Sequence, residues 1–212
     1  MRINMSEQAA ITTFDAESGF SLISKKVLYK GFFQLDEYTF KHKLFKGGWS
    51  GEVRREVFER GHAVVVIPYD PIRDEIVLIE QIRVPALATT KSIWLLELVA
   101  GIIEPGELPE KVAERELAEE AGLSLLGLTF INSYLVSPGG TTERFHLFWG
   151  QVDATKAAGI HGLEHENEDI RVHVVSREQA YKWVNNGRID NAATVLGIQW
   201  LMLNYQQIRD SL

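Results

Sequence analysis

Between Gly101 and Leu123 the chain reads GIIEPGELPEKVAERELAEEAGL. Pro109 suits the first turn of a helix, where its missing N–H costs nothing, and Gly122 suits the position just past the end. The spacing therefore predicts a helix over 109–121, about three and a half turns long. At 100° per residue, Ala113, Leu117 and Ala121 make a narrow apolar face. Glu116, Glu119 and Glu120 fall in the adjoining arc, and Glu116 and Glu120, four apart, stack at one spot. Like charges at that spacing destabilise a helix by a few tenths of a kcal/mol, and more beside a buried face. A divalent cation removes the conflict, and clustered carboxylate oxygens favour hard ions such as magnesium or manganese. Such an ion would grip phosphates, polarise a phosphorus–oxygen bond and acidify a water. A glutamate-rich helix is more commonly a solvated face, so the spacing has to distinguish the two.

The elements that would position this helix can be read from the flanking pattern. Apolar runs at 63–67 and 76–79, joined by a turn through Asp70-Pro71 and Arg73-Asp74, predict a buried hairpin. Further strands are expected at 94–99, 128–136, 145–152 and 170–175. Ser176 with Gln179 forms a capping-box pattern for a helix that Gly187 stops, and a last helix starts near Asn191 and runs to about Ile208. Ahead of this α/β region, runs at 22–29, 32–45 and 52–58 predict three strands, too few to bury much alone. The expected organisation is a flexible tail over 1–18, a small β-sheet subdomain over 19–60 and the main domain over 61–212.

Composition narrows the function. The 212 residues carry a net charge of −7 and no cysteine. That excludes disulfides and thiolate metal sites, and makes polymeric nucleic acid a poor partner. No apolar run has the length of a signal peptide or membrane span, so a cytoplasmic location without membrane attachment is expected. The six histidines, His42, His62, His146, His161, His165 and His173, show no ligand spacing and are read as surface or core residues. Ser50 in Gly48-Trp-Ser-Gly51 is one residue short of a nucleophile elbow and is set aside.

The order in the acidic stretch is Gly101, five residues, Glu107, seven residues, Arg115-Glu116-Leu117, one residue, Glu119-Glu120, one residue, Gly122-Leu123. This is a complete Nudix box, and the chain resembles the Nudix hydrolase family on it. The resemblance implies an α/β/α sandwich carrying a small N-terminal antiparallel β-sheet, with the box as loop–helix–loop. It also implies substrates built as a nucleoside diphosphate linked to another group. Glu116 and Glu120 then match the metal-binding glutamates and Glu119 a ligand or catalytic helper, while Glu107 and Arg115 hold the box in shape.

Pro138 lies sixteen residues beyond Gly122, in Ser137-Pro138-Gly139-Gly140. That spacing is similar to the bacterial ADP-ribose pyrophosphatase branch of the family, as are the stretches 32–44, 52–61, 79–83 and 159–175. A tyrosine at Gly140, which would suggest a dinucleoside polyphosphate enzyme, is absent, as is the SQPWPFPxS signature of NADH pyrophosphatases. The resemblance implies that the Ala100 carbonyl and Glu168 join Glu116 and Glu120 around the metal, magnesium or possible manganese, and that Glu166 matches a proposed general base. It implies substrate contacts at Phe32, Phe33, Arg55, Glu56, Arg60, Arg83, Ile102, Ser137, Pro138, Gly139 and Glu143. On residues alone the two phenylalanines read more readily as core. The branch further implies a homodimer whose N-terminal sheets are exchanged, with Arg55 reaching the partner's site. The leading expectation is hydrolysis of ADP-ribose to AMP and ribose 5-phosphate. Its rivals are another ADP-sugar or a GDP-sugar as substrate, and a non-catalytic ADP-ribose sensor, which would be expected to have lost box glutamates.

Overall fold

The computed structural model describes residues 14–211 and divides into two compact units. The first comprises the described residues up to Arg60 together with Ser137–Thr142; the second is Gly61–Val136 with Glu143–Leu212. Residues 1–13 of the expected tail lie outside the described residues, but its last part is structured: Asp15 caps a one-turn helix, α1 (Ala16–Gly19).

The first unit is an antiparallel meander of β1 (Phe20–Lys30), β2 (Gln34–His42) and β3 (Val53–Glu59), in that order. The expected strand over 32–45 is shorter, because Gly31–Phe33 bends between β1 and β2 and the chain turns again after His42. Register is held by a polar contact across the sheet. Asp36 has no solvent exposure, its Oδ2 lies 2.8 Å from Lys25 Nζ, and its Oδ1 accepts from Gln34 Nε2. Lys25 holds the Asp36 carboxyl below the usual carboxylate range. A slip of one residue would part this pair and move every side chain to the other face. The loop Ser137–Thr142 belongs to this unit through the Phe58 N–H, which donates to Gly140 O.

The second unit is built on an eight-stranded sheet. Its strands are β4 (Ala63–Asp70), β5 (Glu75–Ile82), β6 (Trp94–Glu97), β7 (Val99–Ile102), β8 (Gly127–Leu135), β9 (Arg144–Gln151), β10 (Ile160–His161) and β11 (Ile170–Ser176). The main path runs β10-β11-β5-β4-β9-β8, with only β4 and β9 parallel among its neighbours. Every residue of β4 is buried, as expected for a strand covered on both faces. Its alternation assigns the layers. Val64 and Val66 pack with Val112, Ala113, Leu117 and Ala121 of α2 (Pro109–Ala121). Val65, Ile67 and Tyr69 face α3 (Arg177–Asn185) and α4 (Ala192–Asp210). The result is the expected α/β/α sandwich. Among the described residues no helix is long and apolar enough to cross a membrane.

The apolar run at 94–99 is not one strand. β4 and β5 pair only at Tyr69↔Ile76 and Asp70↔Glu75 and then diverge. The chain fills the gap by pairing β6 with β5 and β7 with β4, changing neighbours at Leu98. At that switch the Leu98 N–H loses its ladder partner and donates instead to Thr194 Oγ1 at 3.0 Å, while Asn191 Nδ2 donates to Leu96 O. The N-terminal turn of α4 thereby sets the entry into β7. Replacing Thr194, which is buried, with isosteric valine strands the Leu98 N–H, an expected loss of about 1–3 kcal/mol. Urea denaturation of Thr194→Val measures it, and an unchanged midpoint would show that this bond does not hold the switch.

Candidate active site

α2 brings the acidic side chains to the start of β7. Leu108 precedes the helix without a side-chain cap, Pro109 occupies its first turn, and Gly122 ends it in the left-handed region at φ 64°. Between its apolar face, packed on β4, and solvent, Glu120 is almost wholly buried at 4% exposure. Its Oε2 accepts from the Ala100 N–H at 3.0 Å, and its Oε1 lies 3.4 Å from Gln81 Nε2. In an extended strand a residue's N–H and C=O point to the same edge. Ala100 therefore presents its carbonyl oxygen to the edge that carries Glu120.

Glu116 lies directly over Gly101. A Cβ added there would stand 1.7 Å from Glu116 Oε1 and 1.9 Å from its Cδ, so no other residue lets the carboxylate reach this position. Arg115 binds the surrounding acids, with contacts of 2.8 Å to Glu116, 3.1 Å to Glu119 and 3.5 Å to Glu107. Glu107 in turn accepts from the Glu104 N–H. The box arginine and its first glutamate thus tie the preceding loop to the helix.

The electrostatics show an unbalanced site. Burial pushes the Glu120 carboxyl up to about 8; the Ala100 N–H and Arg83 pull it down, but Glu116 and Glu168 add to the rise. Burial also pushes Glu116 up to about 7, with Glu119 and Glu168 adding to the rise against Arg115. Two carboxyls held where neither ionises readily are a poor way to finish a helix and a suitable way to receive a cation. Among the described residues no three acidic or histidine side chains form a ready-made metal cage; Arg115 and the Ala100 N–H occupy oxygens that an ion would take. The donor set itself, carboxylates with a main-chain carbonyl on the adjoining strand edge, fits a hard divalent ion.

Arg83, just after β5, is oriented by Glu97, with Nη2 at 2.8 Å and Nε at 2.9 Å from Oε2. Burial disfavours its cation, yet Glu97, Glu120 and Glu168 outweigh that and its pKa rises. Glu168 accepts from the Leu163 N–H at 3.0 Å, within the loop between β10 and β11. Glu166, in the single turn Glu164–Glu166, is exposed and pairs with His165 at 3.6 Å rather than with the box. Ile102 ends β7 half-buried. Glu143 is buried just ahead of β9, and its charge adds to the burial that pushes Tyr134 up to about 12.

In the first unit, Phe32 is 89% exposed and meets Phe33 edge-on at 4.8 Å; Phe33 also packs on Phe58, and the Arg60 guanidinium lies 5.4 Å from its ring centre. Phe32 is therefore not a core residue, against the reading from the residues alone. Arg55 and Glu56 are exposed on β3. Arg55, Pro138 and Gly139 line a cavity of 470 Å³ with Tyr38 and Phe40. Ser137 accepts from the Gly140 and Thr141 N–H groups, which shapes that loop.

Two partners of the site were not assigned from sequence. Gln81 is a buried polar residue on the buried strand β5, and its polarity at an inward position was the available signal. Glu97 lies within the apolar run expected as a strand over 94–99, and its pairing with Arg83 joins residues fourteen apart in sequence.

A model of the NUDIX domain matches residues 59–194. The ADP-ribose pyrophosphatase of Escherichia coli (strain K12) is 60% identical over 189 residues, covering 89% of this chain and 90% of that protein. The ADP-ribose pyrophosphatase of Haemophilus influenzae is 51% identical over 213 residues, covering 99% and 96%. In fold, the chain is similar to the crystal structure of an ADP compounds hydrolase, with a TM-score of 0.67 at 19% identity over 91% of this chain and 97% of that one. With the domain match running from β4 to the start of α4, and Glu116 and Glu120 gathered against β7, the chain belongs to the Nudix hydrolase family.

Proposed function

We propose that this chain hydrolyses the diphosphate of ADP-ribose to AMP and ribose 5-phosphate. The observation that carries the reading is the buried Glu120 one turn from the half-buried Glu116 on α2, with carboxyl pKa values raised to about 8 and about 7. The names of relatives at 51–60% identity over nearly the whole chain support the choice of substrate. Glu116, Glu120, Glu168 and the Ala100 carbonyl would hold magnesium, or manganese. When bound, that ion neutralises diphosphate charge and acidifies a water. Arg83, already turned by Glu97, holds a phosphate through its planar guanidinium. Glu166 takes the proton of the attacking water, whose oxygen bonds to one phosphorus while the bridging P–O bond breaks and the bridge oxygen leaves with the other phosphate. Glu119, held by Arg115, assists.

The remaining contacts are assigned to the nucleotide and sugar. Phe32 and Phe33 are assigned to adenine, and Arg55, Glu56, Arg60, Ile102, Glu143 and Ser137–Gly139 are each assigned to substrate contact. The working form is a homodimer in which Arg55 serves the partner's site. The exposure of every residue of β1, including Leu22, Ile23, Val27, Leu28 and Tyr29, supports a second copy as its cover.

The direct test is incubation with ADP-ribose and magnesium, with AMP and ribose 5-phosphate quantified; no product with any divalent ion would defeat the reading. Glu120→Gln is expected to lower kcat/KM roughly 10³-fold, about 4 kcal/mol of lost transition-state stabilisation, with an unchanged circular dichroism spectrum. Residual activity near that of the parent would remove Glu120 from the metal set. Glu166→Gln is expected to lower kcat by about 10²-fold with little change in KM; a raised KM with normal kcat would contradict its role as base.

The raised carboxyl values predict a pH dependence with a definite sign. Both groups bind protons more tightly when folded than when unfolded, so the metal-free protein loses stability as pH rises from about 5 to about 8, the interval between ordinary and raised values. A divalent ion reverses this. In EDTA, Tm should fall across that interval, and the gain in Tm on adding magnesium should be larger at pH 8.5 than at pH 6. Equal gains at both pH values would show that these carboxylates are not what the ion binds.

A further inference from the structure

His161 shows no ligand spacing in the sequence, yet it occupies a specific seat. It closes the two-residue strand β10, pairing with Ile170 of β11, and its Nε2 lies 2.8 Å from Ala158 O. Its ring covers the end of α2. A Cβ added to Gly122 would stand 2.4 Å from His161 Cε1 and 3.1 Å from both ring nitrogens. Gly122 is therefore glycine for two reasons: its φ of 64° and the imidazole above it. The next residue continues the attachment, because the Gly162 N–H donates to Glu119 O at 3.2 Å. This main-chain bond reaches the box helix itself.

The acidic loop begins directly after His161. The Glu166 and Glu168 N–H groups both donate to Leu163 O, and Glu168 Oε2 accepts from the Leu163 N–H, so 163–168 is closed on itself as one small unit. Its attachment to the rest of the sandwich runs through β11 on one side and through His161–Gly162 on the other. Glu168 acts electrostatically on Glu116, Glu120 and Arg83, which places it within reach of the box. A loop closed on itself moves as a body, and its carboxylates keep their distance from α2 only if that body is fastened to α2.

We propose that His161 is a positioning residue that latches the 162–168 loop onto the C-terminal end of α2, and so sets Glu166 and Glu168 against Glu116 and Glu120. The roles of those carboxylates rest on the function proposed above; the latch itself is a statement about loop and helix. The imidazole fits the seat for a physical reason. It is flat enough to lie over a glycine, and its ring N–H satisfies the Ala158 carbonyl in the segment just ahead of β10.

The test compares the full-length parent with His161→Ala and His161→Phe. Alanine removes both the ring and the bond, whereas phenylalanine keeps a flat ring over Gly122 and loses only the bond. Three readouts are taken: amide hydrogen exchange, Mn2+ affinity without nucleotide, and kcat and KM for ADP-ribose with magnesium. His161→Ala should speed exchange across 162–168 while the α2 amides at 113–118 stay as protected as in the parent. It should weaken Mn2+ binding and lower kcat by about 10- to 100-fold, the range for residues that orient ligands without touching the metal, with KM changed less than about threefold. His161→Phe should recover part of each loss. Unchanged exchange at 162–168 in His161→Ala would overturn the latch, as would faster exchange with Mn2+ affinity and kcat both at parental values. General loss of protection in His161→Ala would mean a structural role; His161→Phe, which retains the packing, then decides by whether its loop alone exchanges faster. If even the parent protein left ADP-ribose intact, the proposed function would fall, while exchange and Mn2+ binding would still decide the latch.

Discussion

Glu116 and Glu120 are one turn apart on a helix whose neighbouring face is packed against β4, so Glu120 meets Glu116's charge with one carboxylate buried and the other half-buried. Everything around them can be understood as the management of that meeting. Burial is the largest cause raising both pKa values; Glu116 adds to the rise of Glu120, Glu119 adds to that of Glu116, and Glu168 adds to both. The fold supplies partial relief from one side through Arg115 and from another through the Ala100 N–H, but not enough to bring either group back to an ordinary value. A fully compensated pair would be stable and inert. A site left short of positive charge has a standing preference for a cation, and the stability given up without one is the free energy that binding returns.

The sandwich is arranged so that this tension does not spread. β7 reaches the site only because β4 and β5 diverge, and the chain must change pairing partners at Leu98 to get there. A switch between ladders leaves a main-chain group unpaired, and an unpaired buried N–H costs free energy. Thr194 and Asn191, on the opposite helical layer, cover it. The acidic helix lies on one face of the sheet and the support for its strand on the other. Ala100 and Gly101 are thus fixed from behind, which lets Glu116 rest on bare backbone.

The helix itself was legible in the sequence, with limits at Pro109 and Ala121, because its signals are local: a proline, a glycine and a spacing of four. The run at 63–67 was legible as a buried strand, but which of its residues face which helical layer was not, because a continuous apolar run carries no alternation to read. Nor was the break at Leu98. An apolar run buried on both faces looks the same whether it pairs with one neighbour or two, so nothing in 94–99 marks the change. Glu97 and Gln81 were hidden for a different reason: their partners, Arg83 and Glu120, stand fourteen and thirty-nine residues away. Phe32 was misjudged on residues alone because side-chain type carries a core preference that its exposed bend overrides. The membership of Ser137–Thr142 in the first unit likewise rests on a bond from Phe58 that no local pattern announces.

The glycines of the box show how a local pattern can encode long-range contacts. Gly122 reads from sequence as a helix stop, and its φ agrees, but a left-handed residue there could also be asparagine. The His161 ring above it excludes any side chain, so the choice of glycine is made by a residue thirty-nine positions later. Gly101 has no conformational signature in sequence at all; it is required by the Glu116 carboxylate that lies on it. Both ends of the motif are therefore contact points, one for a box acid and one for the loop that carries Glu166 and Glu168. A substitution at either glycine would leave every carboxylate in the chain and still separate them, because the box specifies distances between acids as much as the acids themselves.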